Sequence, residues 1–135
     1  MSIPVEVEAL PETVARYGPA TFLLTTGVDG RPHATHVIVE IDSATLRCGI
    51  GRRTARNASE HPLVSFLWPP AEPGGYSLIV DGEIRIEHAE DEPLGIVSAT
   101  KAVLHRPAVT ALTEEPACGS DCVPVGVPLT GSVEP

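Results

Sequence analysis

One short helix, ended by a proline, separates two strand-like segments near the middle of the chain. Pro62 has no backbone donor and restricts His61 to extended conformations, so a helix that begins after Gly51 has barely two turns. The segments on either side, residues 45–49 and 63–68, are predicted strands. A single short helix between strands favours a predominantly β fold over one built from alternating strands and helices.

Six segments have strand-like composition and are separated by turns that contain glycine, proline or aspartate. They are residues 21–26, 32–41, 45–49, 63–68, 76–87 and 95–105. The second alternates between faces, whereas the fourth is nearly all apolar and is predicted to be buried on both faces. Gly82 predicts a bulge of the kind that closes a barrel, and another irregularity is expected near Ala99. The predicted fold is mainly β, a six-stranded antiparallel barrel with short flanking helices, the first at residues 11–18.

Composition limits the partners that such a barrel could have. The 135 residues predict a barrel domain at residues 1–107 and an irregular tail at residues 108–135, which contains two of the three cysteines. A formal net charge of −9 argues against nucleic acid and against an anionic membrane surface. No apolar run is long enough to cross a bilayer and no secretory signal is visible, so we expect a cytoplasmic protein.

Three arginines lie at the start of the predicted short helix. Arg52, Arg53 and Arg56 are three of only nine basic residues in the chain. A helix N-terminus offers unpaired N–H groups and a positive dipole end, and arginine adds bidentate donors. Thr54 offers a hydroxyl or serves as the helix N-cap. The pattern suits a terminal phosphate group, and the alternative is a solvated basic turn on a connecting helix.

The order of the motifs resembles the pyridoxamine 5′-phosphate oxidase-like family. The resemblance covers roughly residues 11–87 and is carried by the runs Leu23-Leu24-Thr25-Thr26, Asp29-Gly30-Arg31-Pro32-His33, Thr45-Leu46-Arg47-Cys48-Gly49, Arg53-Thr54-Ala55-Arg56-Asn57, His61-Pro62-Leu63-Val64-Ser65-Phe66 and Val80-Asp81-Gly82-Glu83-Ile84. It implies a flavin-binding split barrel, and a homodimer that holds FMN at the subunit interface. The function implied is that of a flavin-dependent oxidoreductase acting on a small-molecule substrate.

The resemblance also implies which residues contact the cofactor. The matched positions are Thr35, His36 and Val37 on the second strand, Arg47 and Cys48 on the third, Arg52, Arg53 and Thr54 at the helix, and Ser77 on the fifth strand. Ser77 falls where the family has a polar contact to the flavin ring, and an apolar wall for the ring is expected from Val37, Val39 and Trp68. No catalytic acid or base is implied.

Departures from the family pattern indicate a related flavoprotein rather than the oxidase itself. The basic residues that the oxidase has on its second strand are replaced by Thr35 and Glu40, and the lysine of its helix is replaced by Thr54. The deazaflavin F420 is an alternative cofactor, but its polyglutamate tail favours a broad basic groove and this chain is acidic. Two further alternatives are a flavin- or haem-binding protein without turnover and a β-barrel interaction module.

The remaining histidines and cysteines do not predict a metal site. His33 and His36 are three residues apart on one strand and therefore face opposite sides. Cys48 is predicted to be a small core residue. Cys118 and Cys122 flank a Gly-Ser pair, which is compatible with a redox-sensitive disulfide, with half of a metal site or with two free thiols.

Overall fold

A computed structural model of the chain describes residues 1–89 and 92–108, and its compact unit is Ser2–Arg106. The strands are β1 (Ser2–Val5), β2 (Ala20–Thr26), β3 (Pro32–Asp42), β4 (Thr45–Gly49), β5 (Leu63–Trp68), β6 (Ser77–Ala89) and β7 (Glu92–His105). A 3-10 turn (Val7–Ala9) leads into helix α1 (Leu10–Tyr17), and helix α2 (Arg52–Glu60) joins β4 to β5. The predicted tail, with Cys118 and Cys122, lies outside the described residues.

Six strands close into an antiparallel barrel, as the sequence predicts. Their order is β7-β4-β3-β2-β5-β6, and pairing of β6 with β7 completes the circle. The additional strand β1 pairs with Ala102–His105 of β7, on the same edge where β4 pairs with Leu94–Ser98. The edge of β7 is thus shared by two strands that occupy different parts of its length. The six-stranded split barrel with short flanking helices is confirmed, and β1 is an element that the sequence did not predict.

The barrel core is built from one face of each strand. On β3 the odd-numbered Val37 and Val39 are buried, while the even-numbered Ile38 is 61% exposed. The prediction that β5 is buried on both faces is wrong. Its side chains alternate, since Phe66 is fully buried whereas Leu63 is 67% exposed. A strand in a single-layered barrel wall has only one face directed to the core, however apolar its sequence is.

The bulge predicted at Gly82 is present between β6 and β7. Asp81 pairs with Lys101 but Gly82 pairs with Ala99, so Thr100 is an extra residue on β7. A Cβ atom added at Gly82 would lie 2.6 Å from the carbonyl oxygen of Ser98. The two strands therefore approach each other more closely at this position than any side chain permits.

Replacing Gly82 with alanine is expected to lower the free energy of unfolding by about 1–3 kcal/mol, the usual cost of forcing extra atoms into a packed region. The atom in the way belongs to the backbone and cannot rotate aside. Urea denaturation followed by circular dichroism checks this. The control is Gly49→Ala, where the nearest heavy atom to the added Cβ is Oε1 of Glu92 at 3.8 Å. Equal stability of the two variants would contradict the close approach.

Candidate anion-binding site

The start of α2 leaves its backbone donors uncapped. Gly51 is the N-cap residue, its backbone is extended (φ −85°, ψ 179°), and it has no side chain to accept from the first turn. The amide of Ala55 donates to the Gly51 carbonyl at 3.0 Å and begins the helical ladder. The preceding amides, of residues 52–54, have no partner within the helix, and the first turn has no acidic residue. The prediction of Thr54 as N-cap is therefore wrong, and its side chain is buried.

A buried hydrogen bond links helix α2 to the end of β2. Nδ2 of Asn57 donates to Oγ1 of Thr25 at 3.2 Å, and both side chains are buried. After the helix ends, the amide of Ile84 on β6 donates to the carbonyl oxygen of Pro62 at 2.9 Å. These contacts fix α2 across the end of the barrel at which β2 finishes and β3 begins.

A cavity of about 370 Å³ lies between α2 and the turn that joins β2 to β3. Arg31 and His33 line it from the turn and the start of β3, and Arg53, Arg56 and Asn57 line it from α2. We call this the turn–helix cavity. Its volume falls in the lower part of the range typical of small-molecule sites.

Positive charge dominates the turn–helix cavity. Arg53 and Arg56 are exposed, and within residues 1–89 and 92–108 the ion pairs are Arg31–Asp29 and Arg85–Glu87. In the first of these, Nε of Arg31 lies 3.7 Å from Oδ2 of Asp29, and both side chains are well exposed, so the pair is weak. Three guanidinium groups thus face one carboxylate, in a chain whose net charge is −9. Such a set of donors is suited to an oxyanion.

His33, which lines this cavity, has one buried polar atom without a partner. Nδ1 of His33 is shielded from solvent and makes no hydrogen bond, and it is the one such side-chain atom in the described part of the chain. Buried polar atoms are nearly always hydrogen-bonded, so this atom is an exception, but its shielding from solvent also shields it from a ligand in the solvent-accessible cavity. The arginine donors of the cavity fit a phosphate group.

The residues predicted to bind a cofactor fall into separate groups. Arg52 and Arg53 are both exposed at the start of α2, but only Arg53 lines the turn–helix cavity. Thr35 is half-buried on the inward face of β3, on the same side as His33. The predicted set omits His33, Arg31 and Asn57, which line the cavity together with Arg53.

Three of the predicted side chains lie in the core. Val37, Cys48 and Thr54 are 6%, 3% and 3% exposed, so a ligand on the surface of this chain can reach only their backbone groups. The apolar wall expected from Val37, Val39 and Trp68 is wrong for the same reason, because Val39 and Trp68 are 5% and 1% exposed. The core position predicted for Cys48 is confirmed.

The other three predicted side chains lie on the outer face of the barrel. His36 is exposed and its ring centroid is 5.1 Å from that of Phe22. Arg47 is exposed on β4, opposite Glu40. Ser77 begins β6, six residues before Glu83, which pairs with Leu63 just after α2. Ser77 is not among the residues that line the turn–helix cavity with the α2 arginines of the same chain.

The Cys48 thiol is expected to resist alkylation while the protein is folded. Burial raises its pKa to about 11, so at pH 8 only about one thiol in a thousand is ionised. Iodoacetamide followed by peptide mapping should leave Cys48 unmodified until denaturant is added. Because the folded-state pKa lies above the unfolded value, stability should decrease as the pH rises from about 9 to about 11. Rapid modification of Cys48 in the native protein would contradict its burial.

Metal and membrane features are not found in the described residues. No group of three or more histidine, cysteine, aspartate or glutamate side chains is placed to hold a metal ion within residues 1–89 and 92–108. The predicted placement of His33 and His36 on opposite faces of β3 is confirmed by the alternation of that strand. None of the helices in this part of the chain is long and apolar enough to cross a membrane.

No protein-family model matches the chain. Two curated mycobacterial proteins resemble it in sequence: uncharacterized protein Mb0449c of Mycobacterium bovis and uncharacterized protein MT0457 of Mycobacterium tuberculosis. Each is 41% identical over 83 residues, a match that covers 58% of this chain and 58% of the relative. The chain thus spans less than two thirds of the length of the curated relatives it matches.

Solved structures share the fold at low sequence identity. A putative pyridoxamine 5′-phosphate oxidase from Listeria innocua superposes with a TM-score of 0.61 at 16% identity, over 73% of this chain and 98% of that one. An F420 reductase superposes with a TM-score of 0.54 at 21% identity, over 64% of this chain and 90% of that one. A FAD-binding protein from Mesorhizobium loti superposes with a TM-score of 0.56 at 13% identity, over 78% of this chain and 99% of that one. The chain therefore has the split-barrel fold of the pyridoxamine 5′-phosphate oxidase-like proteins.

Proposed function

We propose that this protein binds FMN and is a flavin-dependent oxidoreductase that acts on a small substrate. The observation that carries the proposal is the group of arginines at the start of α2, in a barrel whose structural neighbours include a FAD-binding protein and an F420 reductase. FMN is preferred because its single phosphate group needs one compact basic site. The longer anionic tail of F420 favours an extended basic surface, and this chain is acidic outside that site.

The start of α2 would hold the phosphate group. Uncapped amides of residues 52–54 point out of the helix N-terminus, and the Arg52 and Arg53 guanidinium groups are free to donate in pairs. When bound, FMN would supply the two-electron chemistry of the reaction. The chain's own residues would anchor the phosphate, orient the ring through strand backbone groups and limit the access of water. No side chain is assigned as a proton donor or acceptor.

A homodimer with the cofactor between subunits is part of the proposal. Phe22, Ile38 and Leu63 are large apolar side chains on the outer faces of β2, β3 and β5, and they are 37%, 61% and 67% exposed. Exposed apolar groups on neighbouring strands favour a covered face. Ser77 does not line the turn–helix cavity of its own chain, and in such a dimer it would contact a cofactor anchored in the partner.

Titration of the purified protein with FMN tests the cofactor. We expect saturable quenching of flavin fluorescence with one site per subunit, and sedimentation as a dimer. Absence of any FMN response would refute the proposal. Preferential binding of F420, or a Soret band with haemin, would replace it by the corresponding alternative. Reduction of the FMN complex by a nicotinamide cofactor, followed by reoxidation with a candidate acceptor, would distinguish an enzyme from a binding protein.

A further inference from the structure

A second cavity lies on the outer face of the barrel, where β2, β5 and β6 run side by side. Its volume is about 450 Å³, and we call it the Asp81 cavity. Leu24 on β2, Ser65 on β5 and Asp81 on β6 are successive partners in register, so their side chains form one row on one face. Thr100, the extra residue of the bulge, lines the cavity beside β7 and donates from Oγ1 to the carbonyl oxygen of Asp81 at 3.2 Å.

The Asp81 carboxylate is held by a side chain of the neighbouring strand. Oγ of Ser65 donates to Oδ1 of Asp81 at 2.6 Å, a short charge-assisted hydrogen bond. Oδ2 of Asp81 makes no hydrogen bond and no ion pair within residues 1–89 and 92–108. Unlike Nδ1 of His33, it is not shielded from solvent. One carboxylate oxygen is therefore fixed, and the other is open to accept from a ligand.

Negative charge dominates the Asp81 cavity, in contrast to the turn–helix cavity. Asp81 is the one ionisable residue among those that line it. Lys101 is the register partner of Asp81 on β7, but it makes no ion pair with it and lines a different cavity, together with Glu6 and Glu8. Glu83, two residues further along β6, is exposed and does not line the Asp81 cavity. No lysine, arginine or histidine lines this cavity to neutralise the carboxylate.

The other walls of the Asp81 cavity carry apolar groups and hydroxyl groups. Leu24, Pro32 and Leu63 supply apolar surface, and Thr26 and Thr100 supply hydroxyl oxygens. A ligand that matches these walls has a cationic group with several N–H donors and a short apolar body. A metal ion matches them poorly, because no group of three or more metal-ligating side chains is found in the described residues.

We propose that the Asp81 cavity binds the ammonium group of a small primary amine, with Oδ2 of Asp81 as the acceptor and Leu24 and Leu63 as the contacts of the alkyl chain. This inference goes beyond the proposed function and does not depend on it, since none of these residues belongs to the phosphate anchor. Leu63 is also part of the apolar face of the proposed homodimer, so the cavity would border that interface. The n-butylammonium ion is the minimal probe.

Titration with n-butylammonium chloride at neutral pH and constant ionic strength, followed by nuclear magnetic resonance of the backbone amides, tests the site. We expect saturable shifts at the lining residues, with a Kd on the order of 1–10 mM, because one charged hydrogen bond and a short chain supply the affinity. Butan-1-ol lacks the charge and tetramethylammonium lacks N–H donors, and each should bind at least tenfold more weakly. Affinity should rise about threefold with each methylene from ethylammonium to butylammonium.

Asp81→Asn and Glu83→Gln form a matched pair of variants. Both remove one carboxylate from β6 and change the net charge equally, but only Asp81 lines the cavity. Asp81→Asn is expected to weaken butylammonium binding at least tenfold, and Glu83→Gln less than twofold. Equal losses in the two variants would show that the net charge of −9 attracts the cation, and equal binding of butan-1-ol would show an apolar cleft only. Either result overturns the site, and circular dichroism verifies that each variant is folded.

The same titrations without and with FMN separate this inference from the proposed cofactor. If butylammonium binds as described and FMN does not bind, the amine site stands and the FMN proposal fails. If FMN binds, but Asp81→Asn leaves butylammonium binding unchanged in both the FMN-free and the FMN-loaded protein, the cofactor proposal stands and the amine site is refuted.

Discussion

Replacing Arg53 with alanine is expected to weaken FMN binding by about 1.5–3 kcal/mol, roughly a 10-fold to 150-fold increase in Kd. Arg53 is common to the helix-start anchor and the turn–helix cavity. Its guanidinium group is exposed and has no ion-pair partner in the described residues, so the substitution removes donors without breaking an internal bond. The effect should therefore appear in affinity and leave stability unchanged. Titration of flavin fluorescence measures it.

Arg16→Ala is the matched control for this substitution. Arg16 is also exposed, but it lies on α1, which precedes β2, whereas α2 is bonded to the end of β2. The Arg16→Ala substitution removes the same charge as Arg53→Ala but changes no residue that lines the turn–helix cavity. Unchanged affinity in Arg53→Ala would remove the phosphate site from the start of α2. An equal loss in both variants would show that overall charge, rather than a local site, attracts the flavin.

The barrel was predictable because local signals agree with the global fold. Alternation along β3 and the glycine at the β6–β7 bulge each have a direct physical cause, since a barrel wall has one inner face and closes where strands bend. The helix from Arg52 to Glu60 was equally predictable, because Pro62 ends it. The apolar sequence of β5 misled the prediction, since composition does not report how many layers cover a strand.

Strand β1 could not be predicted, because its sequence carries little of the usual signal. Ser2–Val5 has four residues, none of them buried, and includes a proline. Its position depends on the free part of the β7 edge beyond β4. A strand defined by another strand's unpaired groups leaves no periodic pattern of its own.

Only half of the candidate site was visible in the sequence. The α2 arginines form a local cluster, whereas His33 and Arg31 come from a hairpin about twenty residues earlier. They join the site through the pairing of Thr25 with His33 and the bond from Asn57 to Thr25, which are tertiary contacts. Periodicity also leaves open which face of a strand is the inner one. Residues such as Val37 could therefore be placed on a face without being assigned to core or surface.

Trp68→Ala is expected to produce the largest loss of stability, about 3–5 kcal/mol, as is typical when a buried aromatic side chain is truncated. The side chain is 1% exposed, its ring centroid is 6.0 Å from that of Phe66, and its Nε1 donates to the Gly18 carbonyl at 2.9 Å. Trp68 is the one tryptophan in the chain, so urea unfolding has to be followed by circular dichroism.

Trp68→Phe separates packing from hydrogen bonding at this position. Phenylalanine keeps an aromatic ring beside Phe66 but leaves the Gly18 carbonyl without its donor, which costs about 1–3 kcal/mol. The order wild type, Trp68→Phe, Trp68→Ala should appear in the urea midpoints, compared at one protein concentration because the proposed dimer makes stability concentration-dependent. If Trp68→Ala instead kept the wild-type midpoint and lost FMN affinity, the ring would belong to a cofactor wall, and its position in the core would be refuted.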